Sequence, residues 1–512
     1  MSTEQKNILF DLIKSLSKSE KRQFKLFVGR LGANSDAKFI ALFNVIDKMK
    51  KYDEQTILRK TDISKGQLPN VKSNLYRQLL VSLRLNPQHQ TPQLQIREQI
   101  DFATILYNKG LYRQSLKILD KAKSTAMDLY ELNMAFEIVE FEKAIESQYI
   151  TRSMDSRADD LAVMAKDLSI QNVLASKLSN LSLQLYSFLL KNGYAKNEDD
   201  YIKTRNYFYY HLPTFEIEEL DFREKLYLYM AQLWYNMIIQ DFVSSYKYAT
   251  KWVELFREER RMISANPVYY VKGYNYLLES LYYLRYYSKF KESYLELCEE
   301  VEHDKYINNA NTKSMVFIYT RYNEINMHFL GATFEEGIKV IQRIEEELND
   351  HTHQIDEHHI MVFYYKFACL HFGIDNYRES IQYLNKIINN PKLGMREDLL
   401  CYSRILRLIC HFELGKEEIE SIVKSTYRFL IKMNDLHRVQ VEIIAFLKNL
   451  NNIYPSELKN AFKDLFDKLK KLEDHPYEKR SFLYLDILSW LESKIEGKPL
   501  HSIVQEKARA LK

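Results

Sequence analysis

The sequence predicts an all-α fold, an α-solenoid of antiparallel helical hairpins behind an N-terminal helical module, and three observations carry that expectation. Gly and Pro are scarce, 12 and 9 in 512 residues, against averages of roughly 7% and 5%, so turns are few and tight. Apolar residues recur at spacings of three and four, the signature of one helix face. A short pattern of aromatic, small and large apolar residues returns along the chain at a nearly fixed interval, the mark of a repeat architecture.

Residues 1–90 make the N-terminal module. They carry 17 Lys/Arg against 8 Asp/Glu, a surplus of nine; the remainder is net acidic by five, which leaves the chain at +4. That asymmetry suits a surface for nucleic acid or an acidic partner. Four or five short helices are expected here. In "SKSEKRQFKLFVGR", Lys18, Lys21, Arg22, Lys25 and Arg30 form a basic band. In "QLPNVKSNLYRQLLVSLRL", Leu68, Val71, Leu75, Leu79 and Leu83 share one helix face, and Pro69 sits where a first turn tolerates it. The preceding "DEQTILRK" and the turn Ser64-Lys65-Gly66 complete a helix, turn and helix, with Lys65, Gln67, Asn70, Lys72 and Asn74 near the start of the second helix. Helix-turn-helix readers use such residues for bases and phosphates.

Pro87 and Pro92 in the polar stretch "RLNPQHQTPQLQ" end the module. The solenoid is expected over 91–512. Its first turn is legible in "IDFATILYNKGLYRQSLKILDKAKSTA": a helix ends at Asn108-Lys109, Gly110 supplies the reversal, and a second helix begins near Tyr112. Small Ser115 and Ala122 then let the two helices approach. The pattern returns as Phe242, Ser245, Ala249 and Trp252; as Phe290, Ser293 and Leu297; as Phe334, Gly337, Ile341 and Ile344; and as Tyr377, Ser380, Leu384 and Ile387. The aromatic anchors from Phe242 onward lie 48, 44 and 43 residues apart, and the gap of 130 from Tyr112 to Phe242 leaves room for two weaker repeats near Met154 and Tyr201. Helices of about 18–20 residues account for such a period.

These hairpins resemble the tetratricopeptide repeat, strongly over residues 96–390 and weakly over 391–512, although the period exceeds the ~34 residues of that family. The resemblance implies a right-handed superhelix in which the first helix of each pair lines a concave groove. It also implies that the residues fifteen, twelve, eight, five and four before each anchor point inward. Before Phe242 these are Tyr227, Met230, Trp234, Met237 and Ile238; before Phe290, Asn275, Leu278, Tyr282, Arg285 and Tyr286; before Phe334, Tyr319, Tyr322, Asn326, Phe329 and Leu330. Tyr, Trp, Met and Arg are the residues enriched in binding hot spots. The Lys and Asn pattern by which one class of these repeats clamps a terminal carboxylate is matched only by Asn326, so peptides ending in a free carboxylate are not expected.

Catalytic chemistry finds little support. No phosphate-binding glycine loop, no H-E-x-x-H and no G-x-S-x-G occurs. "DHTHQIDEHHI", with His351, His353, Asp356, His358 and His359, has the residue types of a metal site but falls where the pattern requires a polar inter-hairpin loop. Glu299-Glu300 and Glu345–Glu347 read as solvated helix faces. The four cysteines, Cys298, Cys369, Cys401 and Cys410, form no C-x-x-C pair. No membrane-spanning run and no secretory signal is read. The expectation is a cytoplasmic, non-enzymatic interaction scaffold without cofactor or metal, binding a protein or peptide through Tyr227, Trp234, Asn275, Tyr282, Arg285, Tyr286, Tyr322 and Asn326. The second reading is a regulator that contacts nucleic acid through Lys18, Lys21, Arg22, Lys25, Lys65 and Lys72, by analogy with bacterial transcription regulators that join a helix-turn-helix to such repeats.

Overall fold

The computed structural model describes residues 8–30, 37–148, 157–302, 309–349, 355–390, 397–415, 419–432, 438–449, 453–454, 456–479, 482 and 486–510. Among these the regular structure is helical, with no strand. The chain divides into two compact units, Met1–Thr125 and Ala126–Lys512.

The first unit contains α1 (Ile8–Ser15), α2 (Lys18–Gly29), α3 (Ala37–Lys48), α4 (Glu54–Lys60), α5 (Leu68–Arg84) and α6 (Pro92–Asn108), and most of α7 (Tyr112–Asp128). Local chemistry starts these helices. Ser17 and Glu20 form a reciprocal capping box on α2, Asp53 caps α4, and Thr91 caps α6 ahead of Pro92. Phe24, Leu42, Phe43, Ile46, Ile57, Leu75 and Leu79 close the core. The proline-marked stretch becomes a single 3₁₀ turn, Pro87–His89, between α5 and α6.

The second unit continues with α8 (Leu132–Gln148), α9 (Arg157–Asn192), α10 (Glu198–His211), α11 (Phe222–Ile238), α12 (Phe242–Glu258), α13 (Arg261–Ala265), α14 (Pro267–Tyr283), α15 (Tyr287–Glu302) and α16 (Ala310–Gly331). Then come α17 (Phe334–Lys339), α18 (Ile341–Asn349), α19 (Glu357–Gly373), α20 (Tyr377–Ile388), α21 (Glu397–Glu413), α22 (Ile419–Lys432), α23 (Arg438–Asn449), α24 (Leu458–Glu473), α25 (Ile487–Glu496) and α26 (Leu500–Ala510). Helices pack chiefly on sequence neighbours: α11 on α9 and α12, α12 on α14, α14 on α16, α19 on α20, and α20 on α21. Such packing is compatible with a helical-repeat array, in which each unit buries its apolar face against the next. Trp234, Trp252 and Trp490 lie wholly inside. Close approach is built into the sequence at Gly373, where a Cβ would stand 2.6 Å from Phe334 Cδ1.

One turn recurs. Gly110, Tyr130, Gln240, Arg285, Ala332 and Asp375 all have positive φ, between 52° and 73°, and each lies two residues before the next helix begins. The following amide reaches back five residues each time, as in Leu111 to Leu106, Asp241 to Asn236, Tyr286 to Leu281, Thr333 to His328 and Asn376 to His371. This is the Schellman closure, which satisfies the orphan carbonyls of a helix end. Only Gly110 announces it by residue type.

Two sequence expectations are corrected by this register. The third hairpin's second helix starts at Tyr287, the counterpart of Phe242, Phe334 and Tyr377, so Phe290 is an interior core residue and not the anchor. The weak repeat expected near Tyr201 has no turn there, because Tyr201 lies inside α10 and the 36-residue helix α9 precedes it; Met154 lies outside the described residues. No Gly or Pro occurs between Arg157 and Asn192 to stop α9; Gly193, at φ 71°, does.

Candidate binding site

With the third anchor at Tyr287 instead of Phe290, the positions that the resemblance places inward on α14 become Lys272, Asn275, Glu279, Tyr282 and Tyr283. Arg285 then leaves the set: it is exposed, at the positive-φ turn position. Tyr286 is 49% exposed in the same turn. Both lie in the turn between α14 and α15.

Of the expected set, Asn275, Tyr282, Tyr322 and Asn326 are brought together, around a residue the sequence reading missed. Asn323 Nδ2 donates to Asn275 Oδ1 at 3.1 Å, Asn326 Nδ2 donates to Asn323 Oδ1 at 3.3 Å, and Lys366 Nζ donates to Asn326 Oδ1 at 2.5 Å. The line crosses three consecutive first helices, α14, α16 and α19. Around the Lys366 ammonium stand the rings of Tyr322, Phe329 and Tyr282, with centroids at 5.7, 5.9 and 6.0 Å. The Tyr322 hydroxyl is tied to the carbonyl of His359 at 2.6 Å. Burial pushes the Lys366 amine down to about 8 and the neighbouring Cys369 thiol up to about 12, because desolvation penalises the charged form of each.

A second ammonium occupies the same run of helices. Lys272 Nζ lies 5.0 Å from the ring centroid of Tyr186 and 5.9 Å from those of Trp234 and Tyr276. Burial alone lowers its pKa. Trp234, expected as an exposed anchor, is 1% exposed; it is clasped by Tyr186 and Tyr276 at 4.9 and 4.6 Å. It packs beside the Lys272 ammonium. Tyr227 is half-buried on α11 and packs against the core. Met230, Met237, Ile238, Leu278 and Tyr319 are core residues as well.

Carboxylates near the cluster are held by other groups. Glu279 accepts the Tyr283 hydroxyl at 2.8 Å. Asp356 caps α19 through the His359 amide at 3.0 Å and meets the His359 ring nitrogen at 2.7 Å. Burial opposes ionisation of Asp356, and these bonds overcome it, leaving its pKa below the ordinary value. His358 and His359 thus belong to the first turn of a helix, while His351 and His353 lie outside the described residues. No group of three metal-binding side chains occurs among the described residues. None of the four cysteines forms a disulfide, and no described helix is long and apolar enough to cross a membrane.

In the first unit, Lys18, Lys21, Arg22, Lys25 and Leu26 line a shallow depression on α2. Lys21 is held by Asp47 at 2.8 Å, and Lys25 lies over Phe43; Lys18, Arg22 and Lys25 are exposed. Lys72 is not a free cation: it pairs with Glu54 at 3.4 Å and with the Tyr52 hydroxyl. Gln67 accepts from Lys38 at 3.1 Å. Lys65, Asn70 and Asn74 are exposed. The connection from α4 to α5 runs over residues 61–67, longer than the three or four residues of a DNA-reading helix-turn-helix.

No protein-family model, no curated protein and no solved structure matches this chain.

Proposed function

We propose that this protein is a non-enzymatic, cytoplasmic interaction scaffold, a right-handed tetratricopeptide-like solenoid whose second unit receives a peptide or helix on the first helices of successive hairpins. One observation carries the reading: α14, α16 and α19 present a continuous line of amides ending on Lys366 with Tyr282, Tyr322 and Phe329 about it. Aromatic rings offer large contact area at low conformational cost, and the amides supply directional bonds to a peptide backbone. The test compares affinity capture from the native cell, under nuclease, with wild-type chain and with the Tyr282→Ala, Tyr322→Ala variant. A protein captured by the wild type and lost from the variant supports the reading; equal capture by both overturns it.

A second reading has its own observation, the exposed Lys18, Arg22 and Lys25 around the α2 depression. Through these the first unit contacts nucleic acid. Binding to duplex or single-stranded probes then weakens linearly in log salt, with roughly one unit of slope per phosphate neutralised. A flat salt response excludes this reading.

A further inference from the structure

We infer that the groove is made for an internal acidic segment, with separate side-chain carboxylates seating on Lys272 and on Lys366. This inference rests on the peptide-binding reading and gives the ligand its charge.

Neither ammonium has a carboxylate within ion-pair distance among the described residues: Lys366 has the neutral Asn326 oxygen at 2.5 Å, and Lys272 has only rings. A half-buried cation without a counter-charge is unfavourable, and packing alone is served as well by Met or Leu. Of the neighbouring acids, Glu279 attracts the Lys366 ammonium only from beyond ion-pair distance. Glu279 is taken by Tyr283, Asp356 by His359, and Asp486 by the Ser489 amide and hydroxyl at 3.1 and 2.7 Å. Among the described residues, therefore, no carboxylate stands within ion-pair distance of either cation.

One anion cannot serve both. The rings around Lys272 are Tyr186, Trp234 and Tyr276; those around Lys366 are Tyr282, Tyr322 and Phe329, and the sets share no member. Lys272 is on α14 and Lys366 on α19, with α16 between them in sequence order. At interaxial distances of 8–10 Å, the axes of α14 and α19 lie up to about 20 Å apart. An extended peptide covers that span in about five or six residues. A single terminal carboxylate reaches one ammonium only, so two acidic side chains at that spacing fit better, with apolar residues between them on the aromatic walls. A nucleic-acid backbone fits poorly: it needs a row of exposed cations along its length, and these two are recessed among rings.

The test uses the full chain on an array of peptides acetylated and amidated at their ends. Intervening positions are randomised among Leu, Phe, Tyr and Ser, and the two key positions, six residues apart, are both Glu, both Gln or both Lys. The Glu set is expected to bind at least tenfold more tightly than the Gln set, and the Lys set not at all. Lys366→Met and Lys272→Met each remove the preference for Glu at one key position and leave the other. Met restores packing and removes a buried charge, so both variants fold; a matching thermal transition checks this. Equal binding of the Glu and Gln sets overturns the acidic ligand and leaves a peptide groove standing. Absence of binding in all three sets overturns both. Displacement of the Glu peptides by poly(U) at physiological salt overturns the inference in favour of nucleic acid.

Discussion

Lys366 holds its charge against the cost of burial. Its amine is pushed down to about 8 by burial, below the ordinary value of 10.5. A lysine whose folded pKa is depressed binds fewer protons in the native state than in the unfolded one at any pH between those two values. Stability consequently rises with pH across that window, and the cost of the buried charge is fully present below about pH 8. Lys366→Met removes this dependence. Urea unfolding of both proteins at pH 7.5 and pH 10.5 should show the wild type gaining up to about 3 kcal/mol relative to the variant. A difference that stays constant with pH means the amine titrates normally and is not desolvated. Lys366 could not be singled out from sequence. It lies eleven residues before Tyr377, off the inward positions implied by the family resemblance, and its importance arises from Asn326 on another helix.

At the scale of the element, the positive-φ turn sets the register of every hairpin in which it occurs. An L-residue there costs roughly 1–2 kcal/mol, yet Tyr130, Gln240, Arg285, Ala332 and Asp375 all adopt it, because the Schellman bonds and the packing of the next helix leave no alternative. Ala332→Gly should therefore stabilise the chain, or leave it unchanged, by up to about 1 kcal/mol, whereas Ala368→Gly inside α19 should cost about 1 kcal/mol or more. Thermal denaturation of the two variants decides the matter, and a loss at Ala332 comparable to that at Ala368 sinks the strain argument. The same turn explains what was legible. Gly110 exposed the first hairpin, and helix-spaced apolar residues exposed the rest, so the helical-repeat character was readable. The register of the third hairpin was not: Arg285 gives no hint of a left-handed backbone, and Phe290 mimics an anchor three residues beyond Tyr287. That slip hid Lys272 and Glu279 and put Arg285 and Tyr286 in their place.

For the second unit as a whole, the decisive contacts join residues more than 170 positions apart. Lys479 Nζ donates to the Gln240 carbonyl at 2.9 Å, the Tyr477 hydroxyl to Glu198 at 2.6 Å, and Gln505 Nε2 to the Ala332 carbonyl at 3.4 Å; α26 also packs on α16. Gln240 and Ala332 are both positive-φ turn residues, so the C-terminal segment returns along the hairpin turns. Nothing in "HSIVQEKARALK" or in the segment before it signals this, since polar side chains meeting carbonyls leave no periodic trace. The consequence is thermodynamic. A simple repeat array couples only neighbours, and an interior hairpin opens with little regard for the far end; a returning segment ties that opening to its own undocking. Lys479→Met removes one tie, a hydrogen bond from a charged donor, typically about 1.5–3 kcal/mol, discounted here because burial already lowers the Lys479 pKa. Amide exchange at Asp241, which closes the turn after Gln240, should then accelerate about tenfold. Exchange at Leu111, which closes the equivalent turn of the first unit, should not change. Acceleration at both amides would indicate general destabilisation, and acceleration at neither would mean that the returning segment lies against the turns without restraining them. Acceleration at Asp241 alone would make the returning segment a brake on the same row of helices that carries Lys272 and Lys366.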